Sequence, residues 1–306
     1  MSNPLLQPHP LPPFSSIDAE HVLPAVEEHL NTNRTRISEL LGQFASGEAT
    51  PTWETLIEPM DEWHDELSKA WSPVGHLNGV LNSDDLREAY NACLPLLSQY
   101  WTEFGQNEDL FKAYDALKNS PEFDKLSSPQ KTAINNALRD FRLSGIDLPA
   151  DKKVRYAEIQ QKLSALTSKF SENVLDATAA WTKHITDVSE LDGVPESGLG
   201  LLAQQAQQRD LDGYVITLDF PSYMPIMSYC TNRELREELY TAFVTRASDV
   251  GPNAGEFDNS QNMKDILALR YELATLLGFD NYAEYSVATK MAESGQLKVV
   301  MNRIYP

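Results

Sequence analysis

The sequence predicts a mainly α protein with a few short strands near residues 179–218. Apolar residues recur at spacings of three and four along most of the 306 residues, which is the period of one helix face. Residues that cap helices stand at the starts of these runs. Only two short runs read as strands. Tyr214 to Leu218 is β-branched and aromatic between Gly213 and Pro221, and AAWTKHI, 179–185, is the other.

In chain order, the proline-rich residues 4–13 are expected to lie extended along the surface, since proline lacks the amide donor of a regular element. A first helix opens near Asp18, carries Leu23, Val26, Leu30, Ile37, Leu41 and Phe44, and closes near Gly47. A second, capped by Thr52, presents Trp53, Met60, Trp63, Leu67, Trp71 and Leu77 on one face, with bends expected at Pro59 and Pro73. Its tryptophans read as core, because an indole buries so much apolar area. Ser83 caps a third helix whose acidic first turn, Asp84 and Asp85, suits a positive helix N-terminus. Cys93 lies on its apolar face and reads as a small core residue.

A short helix from Asp109 to Lys118 follows, then one started by Ser128 and Pro129, with Pro129 in the first helical position. A long helix from about Asp151 carries Tyr156, Ile159, Leu163, Leu166, Phe170 and Val174. Turn residues in LDGVPESG separate it from a helical stretch at 199–209. After the strand at Tyr214, Thr231 and Glu234 have capping-box spacing. Ile266, Leu269, Leu273 and Leu276 form a further stripe that ends at Gly278, placed for a left-handed cap. A last helix begins at Asn281, with Glu284 as its capping partner.

Composition narrows the function classes. With 45 acidic and 25 basic residues the net charge is −20, which repels phosphate backbones and anionic membranes, so neither nucleic acid nor membrane is an expected partner. Two distant cysteines, Cys93 and Cys230, suit thiols kept reduced in a cytoplasm. The N-terminal MSNPLLQPHPLPPF has no basic region and is broken by prolines, so no signal peptide is expected.

The runs KFSENVLDATAAW, LDFPSYMPIMSY, NRELREELYTAFVTRAS and DNSQNMKDILALRYELATLLGFDNYAEYSVATKMA resemble the thimet-oligopeptidase family of zinc metallopeptidases. The resemblance runs from about Pro4 to Ala292. It implies the helical N-terminal lobe of a two-lobed, channel-type metallopeptidase that admits short peptides and hydrolyses them with zinc. On this resemblance residues 1–186 are the N-terminal lobe, 187–292 the incomplete start of the peptidase domain, and 293–306 a divergent tail. Relatives continue well beyond that point.

The chemistry of such a peptidase needs two histidines one helical turn apart and a glutamate beside the first. This sequence contains no H-E-x-x-H. Its histidines, His9, His21, His29, His64, His76 and His184, include no pair at i and i+4. No catalytic, cofactor-binding or metal residue is therefore carried over, and the chain alone is expected to bind no zinc and to be inactive.

The nearest imitation of a metal motif is Asp61-x-x-His64 within DEWHDE, which reads as a solvated acidic face crowded by Glu58, Glu62, Asp65 and Glu66. Asp258, Ser260 and Asn262 have calcium-loop spacing, but Met263 stands where glycine is required. Cys230 reads as a structural thiol. The Arg-rich face of 233–246 is a candidate channel wall. The expected partners are short peptides and a separate C-terminal catalytic half. Two other readings stand beside the peptidase one, a non-catalytic helical peptide-binding or interaction module and a non-functional remnant.

Overall fold

The computed structural model describes residues 3–292, which contain twelve α-helices and one two-stranded sheet. The mainly α expectation holds. The expected tail, 293–306, lies outside the described residues. These residues form two compact units, 3–165 with 268–292, and 166–267.

In the first unit, α1 (Ala19–Ser46) starts at Asp18 through a capping box with His21 and stops at Gly47 with φ 74°, both as the sequence predicts. The proline-rich N-terminus is less extended than expected. Pro4–Leu6 forms a 3₁₀ turn that buries Leu5, whose carbonyl lies 3.1 Å from His29 Nε2, and Asn3 Nδ2 donates to His21 O. Apolar burial of Leu5 outweighs the extended preference of the prolines around it.

Thr52 caps a π-helical turn, Trp53–Ile57, that leads into α2 (Glu58–Val80). The helix runs unbroken through Pro73. Pro59 sits in its first turn, where a missing amide breaks no intrahelical bond. Ser83 caps α3 (Asp84–Gly105) and Asn107 caps α4 (Glu108–Lys118). A short α5 (Pro121–Lys125) was not expected. The cap of α6 (Ser128–Leu143) is Ser127, one residue earlier than the sequence suggests, with Gln130 closing a capping box.

Two cores form among α1–α6. Val22, Val26, Leu30, Leu67, Val74, Leu86, Cys93, Leu97 and Tyr100 join α1, α2 and α3, and Trp71 stacks on Tyr90 at 4.7 Å. Leu56, Met60, Leu110, Leu117, Ile134, Leu138 and Phe141 form the other, with Trp53 and Trp63 packed against it. The tryptophans, read as core, are half-buried side chains packed against these clusters. Each fully buried leucine here contributes about 2 kcal/mol.

The long helix α7 (Ala150–Ala180) passes from this unit into the second. Its Tyr156 and Ile159 pack with Leu273, and Arg155 makes a bidentate pair with Glu272 at 2.6 and 2.8 Å.

In the second unit, β1 (Thr182–Ile185) follows Trp181. Ala179 and Ala180 are the last residues of α7 and not strand, since alanine favours the helix. After α8 (Glu196–Gln207), β2 (Tyr214–Thr217) pairs antiparallel with β1, Thr182 opposite Thr217 and Ile185 opposite Tyr214. Next comes α9 (Phe220–Tyr229), which the two prolines of PSYMP hid from sequence reading. Pro221 occupies its first turn and Pro225 lies inside it.

The helix α10 (Arg233–Val244) is capped by Asn232, not Thr231. Thr231 instead donates its amide to Asp192 O at 2.8 Å. The core of this unit is Trp181, Ile185, Leu191, Leu202, Ile216, Leu218, Ile226, Leu235 and Leu239. Glycine is required at two corners. Gly193 has φ 90° and Gly213 φ 86°, and a Cβ on either would run into a backbone carbonyl, that of Tyr229 or of Ile185.

Residues 245–259 return to α7 and lead into α11 (Ser260–Leu276), which re-enters the first unit. Gly278 has φ 87° and its amide bonds Thr275 O, the left-handed cap expected there. Asn281 caps α12 (Tyr282–Val287).

Candidate functional site

DEWHDE lies on α2, and the structure separates its members. His64 turns inward, with Nε2 3.0 Å from the Tyr100 hydroxyl and its ring 4.8 Å from the rings of both Trp101 and Phe104. Burial lowers its pKa to about 4, so the imidazole is neutral at neutral pH. The carboxylates are exposed and some find partners, while partial burial raises the pKa of Asp61 from its ordinary value. Glu66 receives Arg36 at 2.7 Å, Asp65 pairs with Lys69, and Glu58 accepts from the Trp53 indole at 3.0 Å. Partners one turn away or on other elements thus offset the crowding at Glu58, Asp65 and Glu66.

Helices α1 and α3 and the start of α4 border an open cleft of about 460 Å³ with Ile37, Leu41 and Phe104 among its walls. Its charged groups already neutralise one another, since Arg34 Nε donates to Glu103 at 2.8 Å and Gln99 donates to the same carboxylate at 2.6 Å. Nothing in it selects a particular ligand.

In the second unit, the triplet with calcium-loop spacing has another use. Asp258 accepts the amide of Ser260. Asn262 donates both to Leu166 O at 3.0 Å and to Asn259 Oδ1 at 3.1 Å. Asn259, 1% exposed, also accepts from Asn173 at 2.9 Å and donates to Phe170 O. Three asparagines thus tie the 245–259 return to α7. Sequence reading missed Asn173 because it interrupts an apolar stripe, and that interruption is the signal that could have found it.

Both cysteines are buried and unbridged. The Cys93 thiol, in an apolar core and near Glu27, is pushed up to about 12, and Cys230 lies 3.4 Å from Glu190 O. Neither is placed as a nucleophile. Of the remaining histidines, His21 closes the α1 cap, His76 lies against Phe14, and His184 Nε2 lies 2.6 Å from Asp212 O. Among the described residues no group of three His, Cys, Asp or Glu side chains comes together in a way that could hold a metal.

On the Arg-rich stretch, Arg246 is the residue with the most defined geometry. Its guanidinium stacks 3.9 Å over Phe243, which itself stacks on Tyr223 at 4.1 Å. Nε donates to Phe243 O and Nη1 to Thr178 Oγ1, both at 2.9 Å. The spacing of Phe243 and Arg246 is visible in sequence. Thr178, on α7, is not.

A family model for the N-terminal domain of neurolysin/thimet oligopeptidase matches residues 26–153, and one for peptidase family M3 matches residues 226–302, continuing past Ala292. The chain belongs to the thimet-oligopeptidase family. It is 55% identical over 296 residues to oligopeptidase A of Escherichia coli (strain K12), an alignment that takes in 97% of this chain and 43% of that protein. Oligopeptidase A of Haemophilus influenzae gives the same identity and coverage. A probable cytosolic oligopeptidase A of Arabidopsis thaliana is 40% identical over 298 residues, 95% of this chain and 41% of the relative. The chain thus spans less than half the length of these relatives. Among the described residues no helix is long and apolar enough to cross a membrane.

Proposed function

We propose that this chain supplies the N-terminal, non-catalytic part of an oligopeptidase A-like zinc peptidase that hydrolyses short peptides in the cytoplasm. In this reading residues 1–186 are the helical lobe and 187–292 open the peptidase domain. Zinc and the residues that activate water belong to the C-terminal half of such a peptidase. The chain alone binds no stoichiometric zinc and cleaves nothing.

The observation that supports this most strongly is the 55% identity across 97% of the chain, aligned to 43% of oligopeptidase A. A sequence without two histidines at i and i+4 fits it, because no helix face can then present two imidazoles to one metal. The net charge of −20 also fits a protein that works apart from nucleic acid and anionic membranes.

The test is cleavage of a quenched fluorescent oligopeptide by the purified chain, alone and mixed with a separately produced C-terminal part of the Escherichia coli relative. The expected result is no cleavage by the chain alone and chelator-sensitive cleavage by the mixture. Chelator-sensitive cleavage by the chain alone would overturn the assignment of chemistry to the other half. A silent mixture whose components do not associate would favour the remnant reading.

A further inference from the structure

Arg246 has the most defined geometry of the arginines that make no ion pair among the described residues, a group that also includes Arg209, Arg233, Arg236 and Arg270. Arg34, Arg36, Arg139, Arg142 and Arg155 each have an acidic partner within ion-pairing distance. Among the described residues Arg246 has none. Asp219 is the carboxylate that acts on it electrostatically; it stands at the N-cap position of α9 without a side-chain cap bond and accepts from Thr217 Oγ1 at 3.0 Å. A guanidinium has five N–H donors. Two of its nitrogens are committed, Nε to Phe243 O and Nη1 to Thr178, and Nη2 has no acceptor among the described residues.

The same group is held rigidly. The stack of Arg246 on Phe243 on Tyr223 fixes the plane of the guanidinium, and the two hydrogen bonds fix its rotation. A planar fork fixed in this way suits a carboxylate better than a mobile surface arginine does, because less freedom is lost on binding. Large apolar side chains on the same two helices stay open to solvent. Phe220 precedes Tyr223 by three residues on α9 and is 64% exposed, while Tyr240 and Val244 on α10 are each 53% exposed. Arg236, one turn before Tyr240 on the same helix face, has its Nε buried with no acceptor among the described residues.

We propose that Arg246, with the Phe243 and Tyr223 rings beneath it, is a binding site for the carboxylate of an aromatic or aliphatic peptide. The carboxylate occupies the open side of the guanidinium and the apolar group lies over Phe220 and Tyr240. This does not require that the chain be part of a peptidase, and it is tested without any cleavage assay.

The full chain is titrated with N-acetyl-phenylalanine, with its amide, and with N-acetyl-phenylalanyl-aspartyl amide, while the arginine Nε–H resonances are followed by NMR. The site predicts at least about tenfold tighter binding of the free acid than of the amide, a ratio that a charge-assisted pair supports. It also predicts movement of the Arg246 Nε–H signal and loss of the acid preference in Arg246→Gln. The aspartyl peptide separates a chain-terminal carboxylate from a side-chain one, and either source supports the site. Equal binding of acid and amide, or an Arg246 signal that stays fixed at saturation, overturns it. If Arg246→Gln does not fold, the acid-to-amide ratio and the Arg246 signal of the wild-type chain decide, and Arg246→Lys should keep the charge but bind the acid more weakly.

Discussion

Residues 3–165 with 268–292 are held by one kind of contact and residues 166–267 by another. The first unit joins long helices through broad apolar faces, such as Leu110, Leu117 and Ile134, and leaves its charges on the surface in pairs. The second unit brings backbones close together. Its corners at Gly193 and Gly213 admit no side chain, and its return loop is tied to α7 by Asn173, Asn259 and Asn262. Helix faces tolerate local change because neighbouring side chains can readjust. A carbonyl packed where a Cβ would go cannot. The unit with the smaller core should therefore be the more sensitive to small substitutions.

The largest expected effect tests that contrast with one methyl group. Gly213→Ala places a Cβ against Ile185 O at a φ of 86° and should cost about 4 kcal/mol. Gly47→Ala, at a φ of 74° but in open space at the end of α1, should cost only about 1 kcal/mol. Equilibrium denaturation of both variants gives the difference, and equal costs would break the comparison. Next is Asn259→Ala. It leaves the amides of Asn173 and Asn262 without their shared acceptor and removes the side-chain donor to Phe170 O, at a cost of about 3 kcal/mol by the same measurement.

In the first unit the polar contribution most open to test is His64. Its folded pKa of about 4 lies below the unfolded value near 6.5. The unfolded chain thus binds a proton that the folded chain does not, over the window between those values. Stability from this group is full above pH 6.5 and is lost as pH falls toward 4. Going from pH 7 to pH 5 should remove up to about 2 kcal/mol, and His64→Gln should flatten that part of the pH profile. The smallest effect is Arg155→Ala. The pair with Glu272 is bidentate but screened by solvent, so its loss should be the least destabilising of these changes and weaker still at high salt, read by the same denaturation.

Much of the first unit was legible in sequence for the reason it is tolerant. Caps such as Asp18 and Ser83 and the stripes behind them act over three or four residues, so a short window contains their whole cause. The second unit depends on distant partners. The pairing of Thr182 with Thr217, and of Asn173 with Asn259, cannot be seen from either end alone. Helix α9 was hidden for a different reason. Pro221 looks like a breaker until it is placed in the first turn, where its missing amide costs nothing. The lack of two histidines at helical spacing was legible at once. The setting of Arg246 was not, because Thr178 precedes it by 68 residues.

The most direct test of the central claim, that the metal chemistry belongs to another half of the protein, is zinc stoichiometry after equilibrium dialysis. The chain should retain no stoichiometric zinc, while its complex with a C-terminal part of the Escherichia coli relative should retain it. Tight, stoichiometric zinc on the chain alone would contradict the account.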